Sequence, residues 1–467
     1  MISIEIKQRE HFDLVVCGGG VTGFACAVSA GRRGLKVALV ERNGSLGGVA
    51  TNCGVNHLLG GRKLKEDTQE HVRVVGGIFD EITDKLIAQG DAIEPNSIDL
   101  SFNPFGWYPR MASGVAFSEI ALKAAMDDMC AEAGVRVFYK TDIVSVVKEG
   151  DCLKEVIVWN KAGFAALEAP YFADCTGDAD VAYLAGCPFE KGRDEDGLMT
   201  PTTLEMHVEN VDEEALVSYQ NEHQSPKLVE IIEDLKAKGI WNFPYEIFVA
   251  IRLTEKGVFM VNTMQQYLVD GTDEVSISRA LAEGRSENIR LFSVMKQYFP
   301  GFQNARIRKI YDAVGVRETR RIKGHYNISI EDAVLGKQYE DTVAATTYNF
   351  DLLDPVKIGH DNMMGDAKNP NAVRKHVVIR IPYRSMLPQN ADNLIVAGRC
   401  ISCHREVMGA VRVMGPCMML GQAAGTAAAL AMDAKLPYCQ VDVNKLKAEL
   451  YADGVKNPED LAKIFDT

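Results

Sequence analysis

Four groups of residues in this chain have types and spacings suited to chemistry. The first is Gly18-Gly19-Gly20-Val21-Thr22-Gly23, with glycines at 18, 20 and 23. In such a turn Gly18 permits the tight bend, Gly20 lets a pyrophosphate approach the backbone, and Gly23 lets a helix pack on a strand. Glu41 stands 18 residues beyond Gly23, where a carboxylate accepts hydrogen bonds from a ribose and disfavours a 2′-phosphate. The second group is Cys53 and His57, just after the glycine pair Gly47-Gly48. The third is the charged block Arg317, Glu318, Arg320 and Arg321, to which Arg384 is added. A guanidinium there, Arg317 or Arg320 first, can clamp a carboxylate or carbonyl through a paired contact. The fourth is Cys400-Ile401-Ser402-Cys403-His404, in which His404 titrates near neutral pH and suits a general acid or base.

Each group also has a structural reading. Cys53 is a redox thiol or a covalent anchor, or else a small residue packed against a bound ring. The charged block is a substrate clamp or a cluster of ion pairs. His404 moves a proton, or is hydrogen-bonded at a domain junction. The run from Cys400 to His404 formally matches the C-x-x-C-H of haem attachment, but that chemistry needs export, and residues 1–13 have neither a signal-peptide core nor transit-peptide character. Asp178 and Asp180 sit in a glycine turn, where acids cap and support a loop. No H-E-x-x-H and no zinc-type spacing occurs, so no metal is expected.

These residues need particular elements to hold them. Residues 13–17 read as a buried strand, 24–33 as an Ala-rich helix ended by Gly34, and 36–41 as a second buried strand. The helix start offers free N–H groups and the positive end of a dipole to phosphates. After Glu41 a nicotinamide dehydrogenase would proceed to another strand and helix. Here the chain enters the glycine-rich run 42–54. Paired glycines let backbone follow an extended ligand, which suits the ribityl chain and flat ring of a flavin. Residues 135–139 and 142–147 read as strands, with 155–159 and 166–173 as a meander leading to Asp174-Cys175-Thr176-Gly177-Asp178. A third segment, 393–399, precedes Gly415-Pro416 and an Ala-rich helix, an arrangement that can aim backbone dipoles at a ring's carbonyl edge.

These motifs together resemble the FAD-dependent oxidoreductase family of the glutathione-reductase-like superfamily. The resemblance rests on the opening unit, Gly47-Gly48, the 174–178 motif, and the blocks 315–321, 381–384 and 397–402. It implies an α/β fold, a Rossmann-like FAD-binding domain with an inserted α+β substrate domain. It also implies FAD contacts at Gly18, Gly20, Gly23, Glu41, Arg42, Gly47, Gly48, Thr51, Val144, Thr176, Gly177, Asp178, Gly398, Arg399 and Gly421. Catalytic roles are expected for His404, Arg317, Arg384 and Cys53. The resemblance departs from the flavin disulfide reductases, which carry a C-x-x-x-x-C here. Position 58 is Leu58, and no second G-x-G-x-x-G follows.

The length of 467 residues suggests two or three units at roughly 150 residues each. The expected division is an FAD-binding domain over 1–200 and 376–435, an insert over 201–375 with residues 349–371 as a loop, and a helical tail over 436–467. Hydrophobic residues make up 47% and charged ones 25%, which excludes disordered, collagenous and coiled-coil chains. A net charge of −13 repels phosphate backbones and argues against nucleic acid as a partner. Residues 417–432 are apolar but rich in Ala and Gly, and read as a buried helix rather than a membrane span. Eleven scattered cysteines and no export signal point to reduced thiols in a cytoplasmic protein. The expected activity is transfer of a hydride or two electrons between a small organic substrate and FAD, with a homo-oligomer or electron-transfer partner open. Two alternatives are an electron-transfer subunit serving an iron–sulfur partner chain and an RNA-modifying flavoprotein.

Overall fold

The computed structural model describes residue 6 and residues 8–98, 113–356 and 377–466. Its centre is a parallel sheet of five strands, in the order Leu394–Val396, Tyr171–Asp174, Leu14–Cys17, Val37–Val40, Arg136–Phe138. The inner strands are buried throughout, and Leu14–Cys17 and Val37–Val40 read as unbroken apolar runs because both faces are covered. The helix Val21–Arg32 makes the crossover between Leu14–Cys17 and Val37–Val40. Over the same core lies an antiparallel meander, Asp142–Glu149, Cys152–Asn160 and Gly163–Glu168, with Gln8–His11 added parallel at its edge. The sequence pattern merged 166–173 into one strand. The chain instead leaves the meander after Glu168 and enters the parallel sheet at Tyr171. Pro170 stands between them and has no N–H to continue a ladder.

The Ala-rich stretch forms the buried helix Met414–Ala434, which lies along Val21–Arg32. Gly421 is part of this contact and not a cofactor contact as the motif reading had it. A Cβ at Gly421 would lie 2.1 Å from the carbonyl oxygen of Thr22, and one at Gly425 would lie 2.2 Å from that of Cys26. Small residues one helical turn apart thus let two backbones touch. No single helix among the described residues is long and apolar enough to cross a membrane.

A second core gathers residues from Leu204 to Ala305. Its antiparallel sheet runs Ala250–Arg252, Phe259–Val261, Met206–Glu209, Arg306–Ile310, covered by the helices Glu213–Glu222, Val229–Ala237 and Glu274–Tyr298. This insert is shorter than 201–375. Ile328, Ala333, Val343, Phe350 and Leu352 pack into the main core instead. The reason is the strand Thr342–Thr346, buried throughout, which pairs with Ile379–Pro382 and lies on the Ala-rich helix. Residues 349–356 form no helix or strand. The rest of the predicted 349–371 loop lies outside the described residues. The tail forms the helices Val443–Ala452 and Pro458–Phe465, whose Leu446, Leu450 and Leu461 join the main core.

Replacing Gly421 by Ala drives a methyl group into the Thr22 carbonyl, where backbone faces backbone and cannot yield. The expected loss is about 3 kcal/mol, at the upper end for overpacking a core, read as a lowered urea-unfolding midpoint. An unchanged midpoint would refute the close helix contact.

Candidate active site

The strands Leu14–Cys17, Val37–Val40, Tyr171–Asp174 and Leu394–Val396 end in register at one edge of the sheet. Ligands of open α/β sheets sit outside that carboxyl edge. Four loops meet there. The first carries Gly18 and Gly20 into the helix Val21–Arg32, which begins without any side-chain cap although Val21 and Thr22 are buried. A buried helix start with unanswered N–H groups suits a diphosphate. Gly23 abuts the carbonyl of Gly18 and keeps this turn against the sheet. Gly47 pairs with Gly20 across an isolated parallel bridge. Gly47 and Gly48 have φ of 102° and 55°, and a Cβ on Gly48 would sit 3.0 Å from the Gly20 Cα. Side chains at this pair would close the crevice.

Glu41 is buried at the end of the neighbouring strand. Its Oε2 accepts from the Gly19 N–H at 2.8 Å, and its Oε1 accepts from both nitrogens of Asn43 at 2.7 Å. The carboxylate is thereby held rigid beside the glycine turn. Arg42 is exposed and lies 3.7 Å from Asp142, two residues from Val144, whose side chain is also exposed on the meander. Neither side chain enters the buried edge. Thr51 is a correction. It is fully buried, and its hydroxyl donates to the Leu46 carbonyl at 2.5 Å, so it braces the loop instead of facing the crevice.

The third and fourth loops are tied together by Arg399. Its guanidinium donates to the carbonyls of Gly177 (2.8 Å) and Val316 (2.9 Å) and to the Asp178 carboxylate (2.6 Å). Asp178 also accepts from Thr319, and Asp180 pairs with Arg320, so both acids of the turn are engaged by protein. Thr176 donates to the Asp174 carboxylate and accepts from the Asp180 N–H. Gly398 turns with positive φ against Thr22, at the start of the helix Val21–Arg32.

The expected catalytic residues separate. Arg384 is half-exposed, donates twice to Asp341 at 2.9 and 3.1 Å, and lies over the Tyr326 ring. It is a surface ion pair rather than a clamp. His404 caps the helix Arg405–Val411, with Nδ1 accepting from the Glu406 N–H at 3.4 Å. Burial lowers its pKa, and its charged neighbours are Arg321, Asp194, Glu190 and Arg405. The structure engages His404 as a cap and does not bring it to Arg317. Cys53 is buried, donates to the Val314 carbonyl at 3.4 Å, and burial pushes its thiol up to about 12. A thiol so protonated is no nucleophile. Cys400 and Cys403 are likewise buried, free and raised by burial.

Within the charged block, Glu318 is fully buried and receives Arg405, Arg321 and Thr200, which forms an ion-pair knot. Arg317 stands apart. It is part-buried and donates to the Pro201 carbonyl at 2.8 Å and weakly to Asn262 at 3.4 Å. No carboxylate among the described residues forms an ion pair with it, and burial lowers its pKa.

Sequence reasoning missed the residues facing it. Around the strand Met206–Glu209, Leu204, Met206 and Val208 enter the insert core, while Thr203, Glu205 and His207 occupy the opposite face. His207 Nε2 lies 2.8 Å from the Gly54 carbonyl, and its ring meets Tyr311 edge-on, so the insert grips the loop carrying Cys53. Thr203 Oγ1 and Glu205 Oε2 are buried without a hydrogen-bond partner among the described residues. Burial pushes Glu205 up to about 8, partly opposed by the Arg317 charge. The Leu-Glu-Met-His-Val alternation carried this signal, because a strand with one apolar face and one polar face buries both only when something polar covers the second. A cavity of about 610 Å³ opens nearby, walled by Gln265, Gln266, Tyr267, Arg279, Glu283 and Glu287. Tyr267 is close enough to Arg317 to be shifted by its charge.

Residues 13–450 match the family described as FAD dependent oxidoreductase. Mercuric reductase of Streptomyces lividans is 27% identical over 216 residues, 45% of this chain and 38% of that protein. Dihydrolipoamide dehydrogenase of Chaetomium thermophilum is 50% identical over 42 residues, 9% of this chain and 8% of that protein. The chain therefore matches well under two thirds of the length of these curated relatives. Among solved structures, a geranylgeranyl bacteriochlorophyll reductase-like protein from Thermoplasma acidophilum aligns with a TM-score of 0.47 and 12% identity, covering 97% of this chain and 90% of that one. The myxobacterial FAD-dependent halogenase CndH aligns with a TM-score of 0.47 and 14% identity, covering 94% and 78%.

Two outcomes are expected. His57 and His207 are buried with pKa lowered to about 4 from the ordinary 6.5. The unfolded chain takes up protons below pH 6.5 and the folded chain does not, so this stability is complete above 6.5 and lost as pH falls towards 4. Urea midpoints measured from pH 7 to pH 4 should fall, and His207→Gln should flatten part of that slope. Cys53 should resist iodoacetamide at pH 8 in the folded protein, as mass spectrometry of the digested protein would report. Rapid alkylation would contradict the protonated thiol.

Proposed function

Because this chain belongs to the FAD dependent oxidoreductase family, we propose that it exchanges a hydride, with its two electrons, between FAD and a small organic carboxylate anchored on Arg317. In the glutathione-reductase-like arrangement that we assign to it, the turn from Gly18 to Gly23 and the uncapped helix start hold the diphosphate. Glu41 receives the ribose hydroxyls, and Gly47-Gly48 admits the ribityl chain. The helix Met414–Ala434, also without a side-chain cap, turns the positive end of its dipole and the Met414 N–H towards the ring's carbonyl edge, while the Gly415 N–H is held by the Leu59 carbonyl. FAD bound there supplies a reversible two-electron centre.

What this chain's residues contribute is position and exclusion of water. Arg317 is the observation that carries the reading. The other arginines of the same region, Arg320, Arg321, Arg399 and Arg405, are spent on protein carboxylates, and Arg317 has none among the described residues. A guanidinium held by a single strong backbone contact keeps donors for a ligand, and a carboxylate matches its fork. His207 and Tyr311 hold the Cys53-Gly54 loop from the insert side, so the substrate space lies between the flavin loop and the insert. All eleven cysteines are free, which supports residence in a reducing compartment such as the cytoplasm.

The test is anaerobic titration of the yellow holoprotein with small hydroxy- and oxocarboxylates, following flavin absorbance. Arg317→Met should retain FAD yet bind carboxylates at least about tenfold more weakly, as hydrogen bonds to charged groups contribute about 1.5–3 kcal/mol. Equal carboxylate binding by a yellow Arg317→Met protein would overturn the anchor, and a protein that cannot be loaded with FAD would overturn the cradle.

A further inference from the structure

We propose that Glu205 is the proton carrier of the substrate site, and that the substrate bears a hydroxyl on the carbon next to the carboxylate held by Arg317. This rests on the reading of Arg317 given above. Glu205 is 1% exposed, and its Oε2 meets no hydrogen-bond donor among the described residues. Leaving a buried acceptor unmatched costs about 1–3 kcal/mol, and an apolar residue would avoid that cost. Glu205 immediately precedes the strand Met206–Glu209, two residues after Thr203, whose hydroxyl is also buried without a hydrogen-bond partner among the described residues. The strand that follows carries His207, which grips the Gly54 carbonyl. Two unmatched polar atoms in a row, over the loop that carries Cys53, form a surface that a polar ligand completes.

The electrostatic surroundings fit that task. Arg317, Cys53 and Tyr311 are the titratable groups whose charges act on Glu205 or feel it, and His207 lies two residues further along the chain. Burial favours the neutral acid and Arg317 favours the carboxylate. The balance lies near about 8, where a group both takes and releases a proton close to neutral pH. Arg317 and Glu205 are near enough for each charge to act on the other, so a substrate carboxylate on Arg317 would bring its neighbouring carbon to the Glu205 side of the site. In the oxidising direction the substrate O–H bond breaks and its proton passes to the Glu205 carboxylate. The adjacent C–H bond breaks and its hydride, with both electrons, passes to FAD. A C=O bond forms, the substrate loses two electrons and two hydrogens, and the product is a 2-oxo acid. The reverse reaction returns the proton from Glu205 to the oxygen. The class of reaction that supplies this substrate or consumes its product is therefore 2-hydroxy acid and 2-oxo acid chemistry.

The test needs no substrate. The two-electron midpoint potential of the holoprotein is measured against pH for wild type, Glu205→Gln and Glu205→Asp. Below pH about 8 Glu205 already holds its proton. Above it Glu205 is ionised in the oxidised protein and takes up a proton when negative charge arrives on reduction. The wild-type slope should therefore steepen from one proton per two electrons to two above that pH. Glu205→Gln should remain at one throughout, and Glu205→Asp should restore the break. A break that persists in Glu205→Gln would overturn the proposal. Acetate binding separates the two readings, since it should survive in Glu205→Gln and fail in Arg317→Met. If the break vanishes in Glu205→Gln while Arg317→Met binds acetate normally, Glu205 stands as the proton carrier and the Arg317 anchor falls.

Discussion

The helix Val21–Arg32 presents an uncapped N-terminus in a buried place, and most of the architecture serves to hold it there. Unanswered N–H groups in the interior are costly unless a ligand meets them. They must stay aimed at the crevice before the ligand arrives. The parallel sheet supports one side of the helix. On the other side the Ala-rich helix approaches so closely that Gly421 and Gly425 touch the carbonyls of Thr22 and Cys26. The Thr342–Thr346 strand and the tail helices press on that second helix in turn. Thus residues far from the crevice in sequence, including the last 30 or so, determine where one helix begins.

The crevice is closed by charge rather than by apolar packing. Arg399 binds the loops at 177–178 and 316 through three acceptors. Beside it, Glu318 collects Arg321 and Arg405. Buried ion pairs add little net stability because desolvation offsets attraction, but removing one partner is costly. Such a knot is therefore a better locator than a source of stability. It joins the returning segment 316–321 to the ends of the parallel strands, and the insert, which precedes that segment in sequence, is carried into place over the loop of Cys53 and Gly54.

The strand, glycine turn and helix at the head of the chain were legible in the sequence because their residues are local. Gly18 to Gly23, Glu41 and Gly47-Gly48 lie within about 30 residues, and glycine has few other reasons to recur at such spacing. Two helices of the insert carry a local signal of the same kind, since Asp212 and Asp273 cap their first turns. What was not legible depends on long-range pairing. Nothing in Ile381-Pro382-Tyr383-Arg384 says that Asp341 waits for Arg384, and nothing in Cys400–His404 says that the histidine ring will be spent on a helix start. The insert's far boundary was overdrawn because residues 328–352 are as mixed in composition as those before them, and only the pairing of Thr342–Thr346 with Ile379–Pro382 shows which core they join. Thr51 and Gly421 were assigned by motif position, yet a residue can occupy a motif and face away from its ligand.

In the proposed roles, Arg317 and Glu205 would differ from a structural pair made of the same residue types. Glu318 and Arg405 are in direct contact and each answers the other, so neither has capacity left for a ligand. Arg317 and Glu205 influence each other without an ion pair, and burial penalises the charged form of both. An incoming carboxylate changes that balance. It neutralises Arg317, which removes the cation that favours ionised Glu205 and so pushes the glutamate towards its protonated form. Bound substrate would therefore favour a Glu205 that holds its proton, ready for return to the oxygen of a 2-oxo acid, and departure of the carboxylate would restore its tendency to release that proton. A direct Arg317–Glu205 salt bridge would lose this coupling, since a substrate would have to break the pair before either member could act.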